Sequence, residues 1–200
     1  MVFGFLRKTP KKEEESLSIT TDACVLFLDV RHKGEHHYHY SKHARDEFQR
    51  KLCRFRSAVM DEVQKEGGLV VEFVGDGARA VFGVTRRLSN PAGAGIKSAR
   101  ALLLRLSKDP FHLGACAGIA WGTVCFCPIG SPQRQRHKLL GAPCLISRGL
   151  CASAEPHSIL TDELTASKAQ RDFEVKAMRP VRMPWKEETV PAFQVLLKGS

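Results

Sequence analysis

Two acidic residues stand at positions where a folded chain could present metal-binding oxygens. Asp76 lies between two glycines in GGLVVEFVGDGARAVFG, residues 67–83, and this tight-turn chemistry separates two strand-like runs at 69–74 and 78–82. Asp29 comes at the end of ACVLFLDV, residues 23–30, an apolar run with the length of a buried strand. Because an Asp-Gly pair also serves simply to make a turn, the hairpin alone leaves two readings of Asp76 open, turn residue and ligand.

The two carboxylates predict a divalent-cation site if their strands are neighbours in one sheet. Asp29 and Asp76 would then converge at one edge of that sheet. Carboxylates suit Mg²⁺ and Mn²⁺, which complete their shells with water and substrate phosphates. Two such ions about 4 Å apart can stabilise both the attacking and the leaving oxygens of a phosphoryl transfer. The residue types therefore favour phosphoryl-transfer chemistry.

The order of the elements predicts how these acids are positioned. Apolar residues spaced three to four apart predict a helix over 41–65, and Pro91 opens a second helix that runs to about residue 106. Two strands are predicted around Gly122, followed by a short helix at 145–152 and strands at 158–160 and 192–197. This order indicates an α+β fold: a ferredoxin-like core with a mainly antiparallel sheet and helices on one face.

Length and composition limit the class of protein. The 200 residues fit a mobile leader at 1–19 and one domain at 20–200. The seven scattered cysteines indicate reduced thiols, and no apolar run reaches the roughly 18 residues that span a bilayer, so we expect a cytoplasmic protein. The charge of +10 favours a polyanionic partner such as nucleic acid, anionic lipid or nucleotide phosphates. Since stacking aromatics are not interleaved with the basic residues, no stable nucleic-acid or membrane partner is expected.

Five blocks of the sequence, taken in order, resemble the catalytic domain of class III nucleotidyl cyclases. The blocks are VLFLDV at 25–30, GGLVVEFVGDGARAVFG at 67–83, GIAWGTVCFCPIGSPQRQ at 118–135, LLGAPCLISRGL at 139–150 and SILTDELTA at 158–166. The resemblance covers residues 23–197. It implies a head-to-tail homodimer with shared active sites that converts a nucleoside triphosphate into a 3′,5′-cyclic nucleotide and pyrophosphate.

The resemblance assigns roles to the acids noted above. Asp29 and Asp76 match the two metal-binding aspartates of the family, and Val30 would supply a backbone carbonyl to one ion. The implied cofactors are two Mg²⁺ or Mn²⁺ ions for each active site. Arg148 resembles, after a one-residue gap, the arginine that stabilises charge on the α-phosphate; a surface arginine on a helix is the other interpretation. Fixed positive charge aimed at a developing anion is the expected form of help.

The positions that read the base depart from the adenylyl pattern. They fall on Glu72 and Lys138, which reverses the order of charges in adenylyl cyclases that resemble this chain. Glu72 can accept a hydrogen bond from an amino group, as in guanylyl cyclases, and Lys138 can donate to a carbonyl oxygen such as O2 of a pyrimidine. The resemblance therefore suggests UTP or CTP as substrate, with GTP or ATP as alternatives. A cross-strand ion pair with no role in binding is the other interpretation.

A further departure is RHKGEHHYHY at residues 31–40, where the family has a short turn. Arg31, His32, Lys33 and Tyr38 could contact phosphates or cap a small base there. A compact chain with such a pocket resembles the stand-alone pyrimidine cyclases of bacterial antiphage defence. That resemblance implies a product that a separate effector protein reads.

Two other departures keep a non-catalytic reading open. The family's ribose-positioning asparagine is absent, and the candidates in its place are Cys144 and Leu145. The lysine that grips the triphosphate near the end of the domain falls on either Arg182 or Lys186. A catalytically degenerate cyclase fold that serves as a binding or dimerisation module is thus the second hypothesis, although retention of both aspartates favours the enzyme.

Overall fold

The computed structural model describes residues 18–31, 42–108, 114–130, 136–183 and 187–197. The strands in these ranges are β1 (Ile19–Arg31), β2 (Leu69–Val74), β3 (Gly77–Phe82), β4 (Gly114–Ile129), β5 (Arg136–Leu140), β6 (Ile159–Asp162), β7 (Val175–Ala177), β8 (Val181–Arg182), β9 (Thr189–Val190) and β10 (Ala192–Val195). The helices are α1 (Lys42–Lys65), α2 (Pro91–Ser107), α3 (Ala142–Ser153) and α4 (Glu163–Ala169).

One eight-stranded sheet organises the molecule. Its main path runs β2-β3-β1-β4-β6-β10-β7, and β5 pairs with the end of β4. The pairings are antiparallel except that between β4 and β6. β8 and β9 form a separate two-stranded sheet. The strand β1 lies inside the sheet, between β3 and β4, and pairs with β4 along its whole length.

Side chains of β1 alternate between two packed layers, as the period of a strand requires. Leu26 and Leu28 belong to the cluster that includes Phe55 of α1 and Ile96 of α2, whereas Phe27 belongs to a second cluster with α3 residues. The helices α1, α2 and α4 therefore cover one side of the sheet, and α3 covers the other. We call the second side the α3 face.

The predicted architecture is confirmed in class and in most of its elements. The α+β sheet is mainly antiparallel, and the predicted helices α1 and α2 lie on one face, where the unpredicted α4 joins them. The helix predicted at 145–152 is α3, and it lies on the other face. The turn of the hairpin lies at residues 75–76, as predicted. The two strands predicted around Gly122 are wrong. They are the single strand β4, because β1 pairs on both sides of Gly122 and keeps it in the ladder opposite Ala23.

The ends of the predicted segments also differ from the structure. Of the leader predicted at 1–19, residues 1–17 lie outside the described ranges. Ile19 is already part of β1, where it pairs with Phe126 of β4. The strands β5, β7, β8 and β9 and the helix α4 were not predicted. In the described part of the chain, no helix combines the length and the apolar character needed to cross a bilayer.

Close packing of α3 on the sheet depends on Gly118. A Cβ atom at this position would lie 2.0 Å from the carbonyl oxygen of Ser147 and 2.3 Å from the amide nitrogen of Cys151. We expect Gly118→Ala to lower the free energy of unfolding by about 3 kcal/mol, because backbone atoms of a helix cannot yield without displacing it. Urea denaturation measures this change.

The matched control for that substitution is Gly75→Ala. A Cβ at Gly75 would meet nothing within 4 Å, although its φ of +59° is unfavourable for alanine. Its cost should be about 1 kcal/mol, from backbone conformation alone. Equal losses in the two variants would contradict the packing explanation.

Candidate active site

The end of β1 and the turn between β2 and β3 bring the first pair of candidate residues to one place. Leu28 lies opposite Ala78 in the β1–β3 ladder, so the next residues along, Asp29 and Gly77, meet at the mouth of the hairpin. A Cβ on Gly77 would lie 3.2 Å from Oδ1 of Asp29. Asp76 is the residue directly before Gly77. The two acids that the sequence singled out are therefore neighbours across β1 and the hairpin turn.

Gly77 is needed at this position because β1 approaches very closely. A Cβ there would also lie 2.6 Å from the carbonyl oxygen of Leu28. The β1–β3 ladder ends at Leu28, whereas the β1–β4 ladder continues through Val30 to Arg31. The backbone of Val30 therefore lies just beyond the ladder with β3, next to Asp29.

The side chains of Asp29 and Asp76 are both half-buried. Two acids are fewer than the three side chains that a metal site built from protein groups alone would use. In the described ranges, no group of three or more His, Cys, Asp and Glu side chains could hold a metal ion. A cation at this edge would instead take oxygens from Asp29, Asp76 and the backbone, with water or phosphate completing its shell. That donor set is typical of Mg²⁺, which keeps several non-protein ligands.

The structure also brings together the two predicted base-reading residues. Lys138 Nζ lies 2.9 Å from Oε2 of Glu72, although the two residues stand on β5 and β2. Arg79 of β3 forms a second ion pair, from its Nη1 to Oε1 of the same carboxylate. The cross-strand ion pair considered from the sequence is therefore present, and it includes a third partner that was not predicted.

The helix α3 presents the predicted phosphate-binding residue to solvent. Arg148 is exposed, and Leu145, one turn earlier, is 48% exposed. Cys144 and Ser147 point the other way and are buried. The buried thiol of Cys144 donates to the carbonyl oxygen of Leu139 at 3.5 Å. Of the two candidates for the asparagine position, only Leu145 thus shares the outer side of α3 with Arg148.

Solved structures of cyclase domains have the same architecture. The adenylyl cyclase CyaB from P. aeruginosa superimposes with a TM-score of 0.78 at 18% identity, over 92% of this chain and 97% of that one. The guanylate cyclase domain of RhGC from Catenaria anguillulae in complex with GTP gives 0.77 at 13% identity, over 88% and 96%. The guanylyl cyclase Cya2 gives 0.74 at 19% identity, over 89% and 93%. The chain has the cyclase fold.

Sequence relatives of the chain include two that are named as uncharacterized proteins. No family model matches the chain. "Uncharacterized protein Rv1319c" of Mycobacterium tuberculosis is 35% identical over 106 residues, which is 53% of this chain and 20% of the relative. "Uncharacterized protein Rv1320c" of the same organism is 34% identical over 123 residues, 60% of this chain and 22% of the relative. The chain thus spans about a fifth of the length of these curated relatives.

Arg31 has a role in this cyclase fold that sequence reasoning did not predict. Its Nη2 donates to the carbonyl oxygens of Cys151 and Ala152 at 2.7 Å each, and its Nε donates to Sγ of Cys116 at 3.2 Å. Arg31 was considered as a phosphate contact, but its guanidinium is engaged with the last turn of α3. It ties the end of β1, two residues after Asp29, to that helix.

The guanidinium of Arg31 lies beside a pair of thiols. Sγ of Cys116 is 3.5 Å from Sγ of Cys151, and both residues are buried. The hydrogen bond between the thiols lowers the pKa of Cys116, and the positive charge of Arg31 acts in the same direction. The same hydrogen bond raises the pKa of Cys151. The reduced, packed thiols predicted for this chain are consistent with these contacts.

The remaining candidates lie on β8 or outside the described residues. Arg182 is exposed on β8, opposite Thr189 of β9. Tyr38 and Lys186 lie outside the described ranges, as do His32 and Lys33.

Arg79 could have been found from the sequence by its register. A two-residue turn at 75–76 places residue 79 opposite residue 72, which is the pairing observed. A cation directly across the hairpin from a predicted base-reading acid is the signal that was missed. No comparable local signal indicates that Lys138 of β5 approaches Glu72, because this contact depends on the pairing of β5 with β4.

Proposed function

We propose that this chain is a nucleotidyl cyclase, which converts a nucleoside triphosphate into a 3′,5′-cyclic nucleotide and pyrophosphate. The observation that carries the proposal is the position of Oδ1 of Asp29, 3.2 Å from where a Gly77 Cβ would lie, beside Asp76 and on the cyclase fold. A binding module has no need of two convergent acids, so their retention favours the enzyme.

The proposed cofactors are two Mg²⁺ or Mn²⁺ ions. Asp29 and Asp76 would hold them, and the backbone carbonyl of Val30 would contribute to one. When bound, such ions lower the pKa of a hydroxyl nucleophile and neutralise charge on phosphate oxygens. Carboxylate and carbonyl oxygens are the ligands that suit these cations.

The proposed reaction needs one bond made and one broken. The ribose O3′ bonds to the α-phosphorus, the bond from that phosphorus to the bridging oxygen breaks, pyrophosphate leaves, and the O3′ proton is released to solvent. Arg148 would donate to the α-phosphate oxygens as negative charge builds on them. Its exposure on the outer side of α3 supports action on a second copy, so the active form is a homodimer with shared sites.

The proposed substrate is a pyrimidine nucleotide, UTP or CTP. Lys138 is a donor suited to a carbonyl oxygen, and Glu72 is an acceptor suited to an N–H of the same base edge. Arg182 or Lys186 would bind the triphosphate, and Tyr38 would contact the substrate from the segment after β1. Through its resemblance to antiphage pyrimidine cyclases, the chain would produce a signal for a separate effector protein.

A panel of the four nucleoside triphosphates tests this proposal. The purified chain is incubated with each of them and Mn²⁺, and mass spectrometry detects cyclic product and pyrophosphate. We expect a pyrimidine cyclic nucleotide and an equimolar amount of pyrophosphate. Absence of product from all four nucleoside triphosphates would overturn the proposed cyclase activity. It would favour the second candidate, a binding or dimerisation module, which is supported by Leu145 in place of the ribose-positioning asparagine.

A further inference from the structure

The side chain of Arg79 lies beneath the proposed base pocket. It projects from β3 onto the α3 face, its guanidinium carbon lies 5.8 Å from the centre of the Phe27 ring, and only 13% of the side chain is exposed. Its Nη1 forms an ion pair with Oε1 of Glu72. Its Nε is buried and has no hydrogen-bond partner among the described residues. Arg79 therefore approaches Glu72 from the interior of the protein.

Lys138 approaches the same carboxylate from the opposite side. Its Nζ is 2.9 Å from Oε2 of Glu72, and its side chain is 48% exposed. Two cations thus share one carboxylate, so these three side chains together carry a net charge of +1. Arg79, the more buried cation, pairs with Oε1, and Lys138, the more exposed cation, pairs with Oε2. Only Oε2 is left on the side from which a ligand could enter.

This division of the carboxylate decides which base edges it can accept. Guanine presents two adjacent donors, N1–H and the 2-amino group, and a carboxylate binds both only if both of its oxygens face the base. Because Oε1 faces Arg79 in the interior, Glu72 presents only Oε2 to the base and can meet one of these two donors. Uracil presents one N–H between two carbonyl oxygens, so Oε2 can accept from N3–H while Lys138 donates to a carbonyl.

We propose that Arg79 is a specificity-determining residue, which fixes Glu72 as a single acceptor and thereby selects uracil against guanine. The inference rests on the proposed nucleotide-cyclising function, and it adds a residue and a mechanism of selection to it. Arg79 acts through Glu72 and does not itself touch the substrate, so it is a positioning residue.

The test compares product ratios in a mixture of UTP and GTP with Mn²⁺. We expect the parent to make cUMP in excess of cGMP. Arg79→Met removes the charge and keeps most of the side-chain length, and it should raise the cGMP:cUMP ratio about 10- to 100-fold, the range expected for one hydrogen bond to a charged group. Arg79→Lys keeps a cation on Oε1 and should stay close to the parental ratio.

A matched control and a fold check accompany these variants. Arg105 lies on the helix α2 and forms an exposed ion pair with Asp61 of α1. Arg105→Met makes the same change there and should leave the cGMP:cUMP ratio unchanged. Thermal unfolding of each variant shows whether it is folded at the assay temperature. If Arg79→Met were unfolded, Arg79→Gln, which retains a polar group in the buried position, would replace it.

A binding measurement separates failure of this inference from failure of the proposed function. Calorimetric titration with 3′-deoxy-UTP and 3′-deoxy-GTP, which cannot cyclise, reports base preference without turnover. An active parent whose ratio is unmoved by Arg79→Met, or that prefers GTP, overturns the role of Arg79 alone. A parent that makes no product but whose preference between the two analogues shifts in Arg79→Met overturns the cyclase and retains the base site. A parent that makes no product and binds neither analogue overturns both.

Discussion

Replacing Asp29 with asparagine is expected to reduce cyclase turnover about a thousandfold, because a metal ligand contributes several kcal/mol of transition-state stabilisation. Asparagine keeps the size and one oxygen of the side chain but removes its charge. It should therefore leave the close approach of β1 to Gly77 intact. Initial rates at saturating nucleotide and Mn²⁺ measure the effect.

The matched control for Asp29→Asn is Asp22→Asn on the same strand. Asp22 is exposed near the start of β1, where its Oδ1 accepts from the hydroxyl of Thr123 at 2.6 Å. Activity should be unchanged in this control, and both variants should unfold close to the parental temperature. A folded Asp29→Asn protein with a tenth or more of parental turnover would contradict the metal assignment.

Replacing Arg148 with alanine is expected to lower kcat about a hundredfold with a smaller change in KM. Loss of one donor to a developing anion typically has this size. Because Arg148 is exposed on α3, its removal should not affect folding. A change confined to KM would indicate ground-state binding and contradict the assigned role.

Mixing the two inactive variants tests the shared active site. In a dimer formed from Asp29→Asn and Arg148→Ala subunits, one site combines both defects and the other has an intact acid pair and an intact arginine. Random exchange makes half of the dimers mixed, so we expect about a quarter of parental activity to return. No recovery after verified subunit exchange would contradict action of Arg148 across the interface.

Local signals in the sequence were sufficient for the elements that carry the acids. The apolar run before Asp29 and the glycines around Asp76 specify a buried strand and a tight hairpin without reference to the rest of the chain. The structure adds their proximity, which depends on Gly77 admitting the backbone of Leu28. This contact could be expected only after β1 and β3 were known to be neighbours.

Other parts of the site were not accessible from the sequence for physical reasons. Gly122 reads as a strand end, yet pairing with β1 continues past it, so tertiary pairing overrides the local preference of glycine. The contact between Lys138 and Glu72 was considered only through the family resemblance, because no local signal joins residues that are far apart in the chain. The position of Arg31 against α3 likewise depends on long-range packing.

The contacts of Arg31 link two functional positions inside one subunit. Arg31 fastens β1, two residues beyond Asp29, to the last turn of the helix that carries Arg148. In the proposed dimer, Asp29 would serve one catalytic centre and Arg148 of the same subunit would serve the other. A displacement of Asp29 would then move Arg148 of the same subunit, and the reverse. Binding of nucleotide at one catalytic centre would therefore alter the nucleotide affinity of the other centre and produce cooperative kinetics.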